Sequence, residues 1–266
     1  MLVGIKRDAN RCRILYFFGL KLNISLKRKK QLKLRRLIQE ETKIFLGAMA
    51  DPNGLGFLEL MLTHANVSQK HKYIFQQMPE NAICIDAGAN IGVFSDICLN
   101  RQAKVYSFEP NQIAFDILRR KYRNNHDIYL YKKAVWVEET TLDFFSTELQ
   151  KDNFLLYSQG NSLIKNHGED GYSHTTKETV VACDFNQFII DTFVSHNKHI
   201  YLLKMDIEGA EFEVLNKLID KDLHKNFEFI LVETHERFFD DGDCKIKGIQ
   251  KKITEKNINN IFLDWV

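Results

Sequence analysis

The chain has 266 residues, enough for one large domain or two small ones with a sizeable core. Apolar residues make up 44% and charged residues 27%, which excludes collagen-like, disordered and disulfide-scaffold classes. The net charge of +2 hides a split. Residues 1–45 carry 13 Lys/Arg and 3 Asp/Glu, a net of +10, and the rest carry 24 and 32, a net of −8.

In chain order, the run Ile14 to Phe18, Gly19 and the alternating stretch Leu20 to Leu26 predict a small hairpin. A basic helix is expected over 27–45, with Lys27-Arg-Lys-Lys30, Lys33, Arg35 and Arg36. Asp51-Pro-Asn-Gly54 is the clearest breaker cluster. It places a boundary between a basic N-terminal extension, 1–50, and a main domain, 51–266. No stretch reaches the roughly 18 apolar residues of a membrane span, and the first apolar run has the wrong flank for a secretory signal. The five cysteines are odd in number and lack zinc-like spacing. Cys84 and Cys98 sit in apolar runs and are expected to be buried free thiols, and a reducing, cytoplasmic location is expected.

Beyond residue 80 strand-like and helix-like segments alternate. Strands are predicted at Ala82 to Asp86, Lys104 to Glu109, Ile128 to Val135, Ile200 to Asp206 and Phe229 to Glu233. Helices are predicted at Ile91 to Leu99, Gln112 to Tyr122 and Glu211 to Ile219. A polar region, 140–197, interrupts the series with strand-like Leu142 to Phe145 and Thr179 to Phe185. Such alternation predicts an α/β fold with a mainly parallel sheet and helices on both faces.

The first predicted strand runs into Asp86-Ala87-Gly88-Ala89-Asn90-Ile91-Gly92 before a helix. Glycines there let a ligand approach the backbone, at the end of the strand where open α/β sheets bind ligands. The second strand ends in Glu109-Pro110, and an ionised carboxylate at that place can accept both hydroxyls of a ribose. A nucleoside is the expected ligand. The spacing G-x-x-x-G, preceded by Asp86, disfavours the pyrophosphate of a nicotinamide cofactor. It suits a ligand bearing an ammonium, such as S-adenosylmethionine.

With Ser107-Phe-Glu-Pro110, Lys133-Ala134-Val135, Asn161-Ser-Leu163, Leu203-Lys-Met-Asp-Ile-Glu-Gly-Ala-Glu211 and Glu233-Thr-His235, the chain resembles the FkbM family of S-adenosylmethionine-dependent methyltransferases over about residues 80–240. The resemblance implies a Rossmann-like methyltransferase fold. It also implies methyl transfer, usually to oxygen, with Asp86, Gly88, Ala89, Asn90, Gly92, Glu109, Pro110, Ala134 and Asp206 around the cofactor. The usual sheet ends in a two-stranded hairpin, whereas Asn260 to Val266 supplies one strand here.

Asp206 and His235 are predicted at the ends of adjacent strands. His235 is the expected general base, because its ordinary pKa of about 6.5 suits neutral pH. Asp206 would hold the cofactor or orient the acceptor, and Glu208 joins the same acidic string. Glu211 is read as a helix-start acid, and Lys204 as a neutraliser on the strand face of Asp206. Mg²⁺ among Asp206, Glu208, Glu233 and His235 is possible but not favoured. The expected acceptor is a sugar hydroxyl of a cell-surface glycan or glycolipid precursor. The basic arm fits an anionic membrane surface at the inner face of the cell membrane. Nucleic acid is not expected, because the aromatics are not interleaved with the charges. The alternative is a non-catalytic nucleoside-binding module recruited to membrane or glycan assembly machinery.

Overall fold

The computed structural model describes residues 5–7, 13–17, 20–24, 58, 61–62, 65–146, 162–163 and 176–265. The expected basic helix and the breaker cluster at Asp51 lie outside the described residues. The chain divides into two compact units, Met1–Leu60 and Met61–Val266. In the first, β1 (Ile5–Arg7), β2 (Arg13–Phe17) and β3 (Leu20–Ile24) form an antiparallel sheet. The β2–β3 pairing is the expected hairpin. The three residues of β1 are too few to carry a readable alternation.

The second unit starts with the short α1 (Lys72–Gln76). It continues through β4 (Ile83–Ala87), α2 (Val93–Asn100), β5 (Lys104–Phe108), α3 (Gln112–Lys121) and β6 (Ile128–Tyr131). Then come β7 (Ala134–Trp136), β8 (Thr140–Ser146), β9 (Thr176–Asp184) and α4 (Phe185–Thr192). The remainder is β10 (Ile200–Met205), α5 (Glu211–Asp220), β11 (Phe227–Val232), α6 (Gly242–Glu255) and β12 (Ile261–Phe262).

Six strands make one sheet in the order β12-β11-β10-β4-β5-β6, with every pairing parallel. Flanked by helices, it has the expected Rossmann-like arrangement. The inner strands are near-continuous apolar runs because both faces are covered. Ile85, Leu203, Met205, Phe212, Leu215, Ile230 and Val232 share one buried core. Asn111 starts α3 by accepting the amides of Ile113 and Ala114 at 2.9 and 3.0 Å, and Asp184 caps α4 in the same way through Gln187. Cys84 and Cys98 are buried free thiols as their apolar runs suggest; Cys183 is buried too, and Cys244 is exposed.

The predicted third strand is two. After β6, Lys132 and Lys133 break the apolar run, and β7 leaves the main sheet to pair parallel with β9. With β8 antiparallel on β9, these strands form a second, three-stranded sheet. The polar region thus has its own small core of Ala134, Phe144, Val180 and Ala182. Among the described residues β12 closes the main sheet as a parallel edge strand on β11. No helix among them is long and apolar enough to cross a membrane.

From β4 the chain builds outward through β5 and β6, then returns to build the other way through β10, β11 and β12. The point of reversal lies between β4 and β10. Crevices for ligands form at the carboxyl ends of the strands flanking such a point.

Candidate active site

The turn after β4 lies at that point. Gly88 and Gly92 have φ of +78° and +82°, and Asn90 is also left-handed at +48°. A Cβ on Gly88 would lie 1.8 Å from the Asp206 carbonyl oxygen, so only glycine lets the β4 turn pack against the end of β10. The Gly88 and Ala89 amides donate to the Phe108 carbonyl at 3.1 and 2.9 Å, tying the turn to β5. The Tyr122 hydroxyl lies 2.9 Å from the Gly92 carbonyl and 2.7 Å from the Asp96 carboxylate, bracing the far end of the turn. Tyr122 carries no motif signal and is missed by sequence reasoning.

Glu109 follows β5 directly and is buried. Its carboxylate accepts the amides of Asn90 at 2.7 Å and Asn111 at 2.8 Å. Burial pushes the carboxyl up to about 7, against the pull of those amides and of Lys204. Each oxygen keeps a lone pair for a further donor. This acid thus contacts the glycine turn directly, through the Asn90 amide. Pro110 lies between Glu109 and the α3 cap.

Asp86 is fully buried at the end of β4. Ser95 donates to it at 2.6 Å, and Ser95 also meets Ser107 at 2.8 Å. Lys204 and Ser107 are its register neighbours on β10 and β5. The Lys204 ammonium is 3.5 Å from Asp86 and 3.4 Å from Asp206, and donates to the Gly88 carbonyl at 2.8 Å. Burial opposes its charge, but Asp206 and Asp86 outweigh that and raise its pKa. Lys204 thus links Asp86 to Asp206 and to the glycine turn. The Ala134 side chain packs in the core of the second sheet.

Asp206, Glu208, Glu211, Glu233 and His235 do converge. His235 is 1% exposed. Its Nδ1 is 2.9 Å from Glu211, its Nε2 is 3.2 Å from Glu208, and Asp206 and Glu233 lie 3.9 Å from Nε2. Glu211 is more than a helix-start acid: fully buried, it also accepts the amides of Ile207 at 2.9 Å and Gly209 at 2.8 Å. Burial alone would lower the His235 pKa, but Glu211, Glu208 and Asp206 raise it to about 9. Burial and the neighbouring acids push Glu208 up to about 8, against the pull of His235. Burial likewise raises Glu233. A ring held charged near neutral pH, with both nitrogens engaged and almost no exposure, runs against the expectation that His235 accepts a proton from substrate.

Ser162, in the short serine-leucine segment, connects the second sheet to this cluster. It bridges to Phe145 through both backbone groups, at 2.8 and 3.0 Å, and its hydroxyl donates to the Glu208 carbonyl. Glu208 itself is left-handed at φ +55°.

Asp206, Glu211 and His235 offer ligand-type atoms within 4.8 Å of one another. The Glu211 oxygens, however, already accept two amides and face the imidazole. A buried ammonium and an imidazolium supply the positive charge, and we assign no metal here.

Comparison with known proteins places this geometry in context. The family described as "Methyltransferase FkbM domain" matches residues 86–257. The chain is 27% identical over 199 residues to "Methyltransferase sdnD" of Sordaria araneosa, covering 67% of this chain and 76% of that protein. It is 26% identical over 174 residues to "Methyltransferase 1" of Beauveria bassiana (strain ARSEF 2860), covering 62% and 69%.

Proposed function

The chain belongs to the FkbM methyltransferase family, and from that membership we propose that it moves the methyl group of S-adenosylmethionine to a sugar hydroxyl in a cell-surface glycan or glycolipid precursor. The observation that carries the cofactor reading is the contact between the glycine turn and Glu109, which joins a close backbone approach to a buried acceptor. The donor chemistry fits, because a ribose diol would satisfy the open lone pairs of a carboxylate whose pKa burial has raised. Gly88, Ala89, Asn90, Gly92, Glu109 and Pro110 would hold the nucleoside, and Asp206 the amino acid part.

When bound, the cofactor supplies an electrophilic methyl group on a cationic sulfonium. The protein's part is to align an acceptor with that group and exclude water. Asp206, Glu208 and Glu233 remain partly exposed, at 28, 18 and 33%. Carboxyl oxygens there can accept from a ligand rich in hydroxyl donors. The basic arm, at +10, would hold the enzyme near an anionic membrane where such precursors are assembled.

Calorimetry with S-adenosylmethionine tests the cofactor reading. Glu109→Gln removes charge-assisted hydrogen bonds worth about 1.5–3 kcal/mol, so affinity should fall by about 10- to 100-fold. Unchanged affinity would remove Glu109 from the site. Methyl-labelled cofactor added to a cell extract, with identification of the labelled product, tests the acceptor; a labelled amine would refute transfer to oxygen.

A further inference from the structure

A hydroxyl acceptor must lose its proton, and the hydrogen-bond pattern around His235 shows where that proton can go. Both Glu211 oxygens accept backbone amides, so Glu211 is an acceptor and His235 Nδ1 faces it as N–H. That leaves Nε2 and Glu208, 3.2 Å apart, to hold one proton between them. Asp206 and Glu233 stand farther from the ring, at 3.9 Å. Among these described acids Glu208 is the one that meets Nε2 at hydrogen-bond distance, while its side chain stays 18% exposed.

The backbone supports the same assignment. Glu208 occupies a left-handed conformation that a residue with a Cβ adopts at a cost, next to Gly209 at φ +108°. Three contacts hold it there: Ser162 on its carbonyl and Glu211 on the amides of Ile207 and Gly209. The carboxylate is thus presented by a fixed turn packed against Gly88.

Resting on the methyl-transfer reading above, we propose that Glu208 receives the acceptor's proton, with His235 as its positioning residue. In that step a hydroxyl lone pair bonds to the methyl carbon and the O–H proton passes to a Glu208 oxygen. The S–C bond breaks with its electron pair kept by sulfur. Glu208 then releases the proton to solvent through its exposed edge. The charged groups facing Glu208 are His235, Asp206, Glu211 and Glu233, with Lys204 beside Asp206. A carboxyl pushed up to about 8 is a stronger base than an ordinary glutamate once it has lost its proton, which is why transfer should rise with pH.

Two measurements on wild type, Glu208→Gln and Glu208→Asp decide the matter. Nitrogen-15 NMR should show a proton on His235 Nδ1 throughout pH 6–8, and a lower imidazole pKa in Glu208→Gln. Transfer from methyl-labelled S-adenosylmethionine into a cell extract should rise through about pH 8 in wild type. It should fall about 100-fold in Glu208→Gln, recover in part in Glu208→Asp, and leave cofactor affinity within about threefold. An unprotonated Nδ1, or a Glu208→Gln protein that binds cofactor and transfers at the wild-type rate, overturns the proposal alone. A wild-type protein that binds no S-adenosylmethionine overturns the methyl-transfer reading and the proposal with it.

Discussion

Replacing Glu211 by glutamine removes one charge and one acceptor from a fully buried position while conserving volume. The native carboxylate serves three donors: Ile207 and His235 on Oε1, and Gly209 on Oε2. A glutamine has one oxygen. In either orientation its NH₂ group faces at least one buried N–H, leaving a donor unpaired at about 1–3 kcal/mol. His235 also loses its nearest counter-charge. The rise of its pKa from 6.5 to about 9 corresponds to about 3 kcal/mol of preference for the charged ring. Burial opposes that preference and Glu211 is its largest source, with Glu208 and Asp206 supplying the rest. Breaking a buried pair from one side costs about 3–5 kcal/mol, so Glu211→Gln should lose about that much. Urea denaturation at pH 7 measures it, and NMR of His235 should show the imidazole pKa falling. A loss under about 1 kcal/mol, with His235 still charged at pH 7, would refute the reasoning.

Two further outcomes are expected. Gly88→Ala should abolish cofactor binding and destabilise the fold, because the new Cβ meets the Asp206 carbonyl backbone at 1.8 Å and φ is +78°; retained affinity by calorimetry would contradict this. Stability should fall as pH rises from about 6.5 to about 9. His235 binds a proton in the folded state that the unfolded chain has released, so its contribution is whole below 6.5 and gone above about 9. Glu208, folded pKa about 8 against an ordinary 4.5, adds a loss of the same sign from lower pH. A melting temperature unchanged over that interval would count against both.

Much of the fold was legible because buried parallel strands are apolar runs, and β4, β5 and β10 are each followed by a helical period. The glycine turn and Glu109 were legible because local spacing fixes both. The partners of Asp86, Ser95 and Lys204, were not legible, because its register beside Lys204 and Ser107 is a tertiary fact. The state of His235 was illegible for a related reason. Glu211 lies 24 residues away and its apparent duty was to open α5, so nothing local says it also faces the imidazole. The second sheet was half legible: its strands showed as alternation, but the departure of β7 from the main sheet rests on pairing with β9, more than 40 residues downstream. Helix α6 went unread altogether.

The hydroxyl of Ser162 makes the acidic turn dependent on a segment 46 residues upstream. The motif from Leu203 to Glu211 is therefore not a portable cassette. Grafted into another sheet with His235, it would bring the acids and the imidazole but leave the Glu208 carbonyl without its hydroxyl. Drift in the sequence around residue 162 could likewise retune the angle at which Glu208 meets an acceptor while the cofactor turn stays untouched. Acceptor choice and cofactor choice would then evolve on separate stretches of the chain.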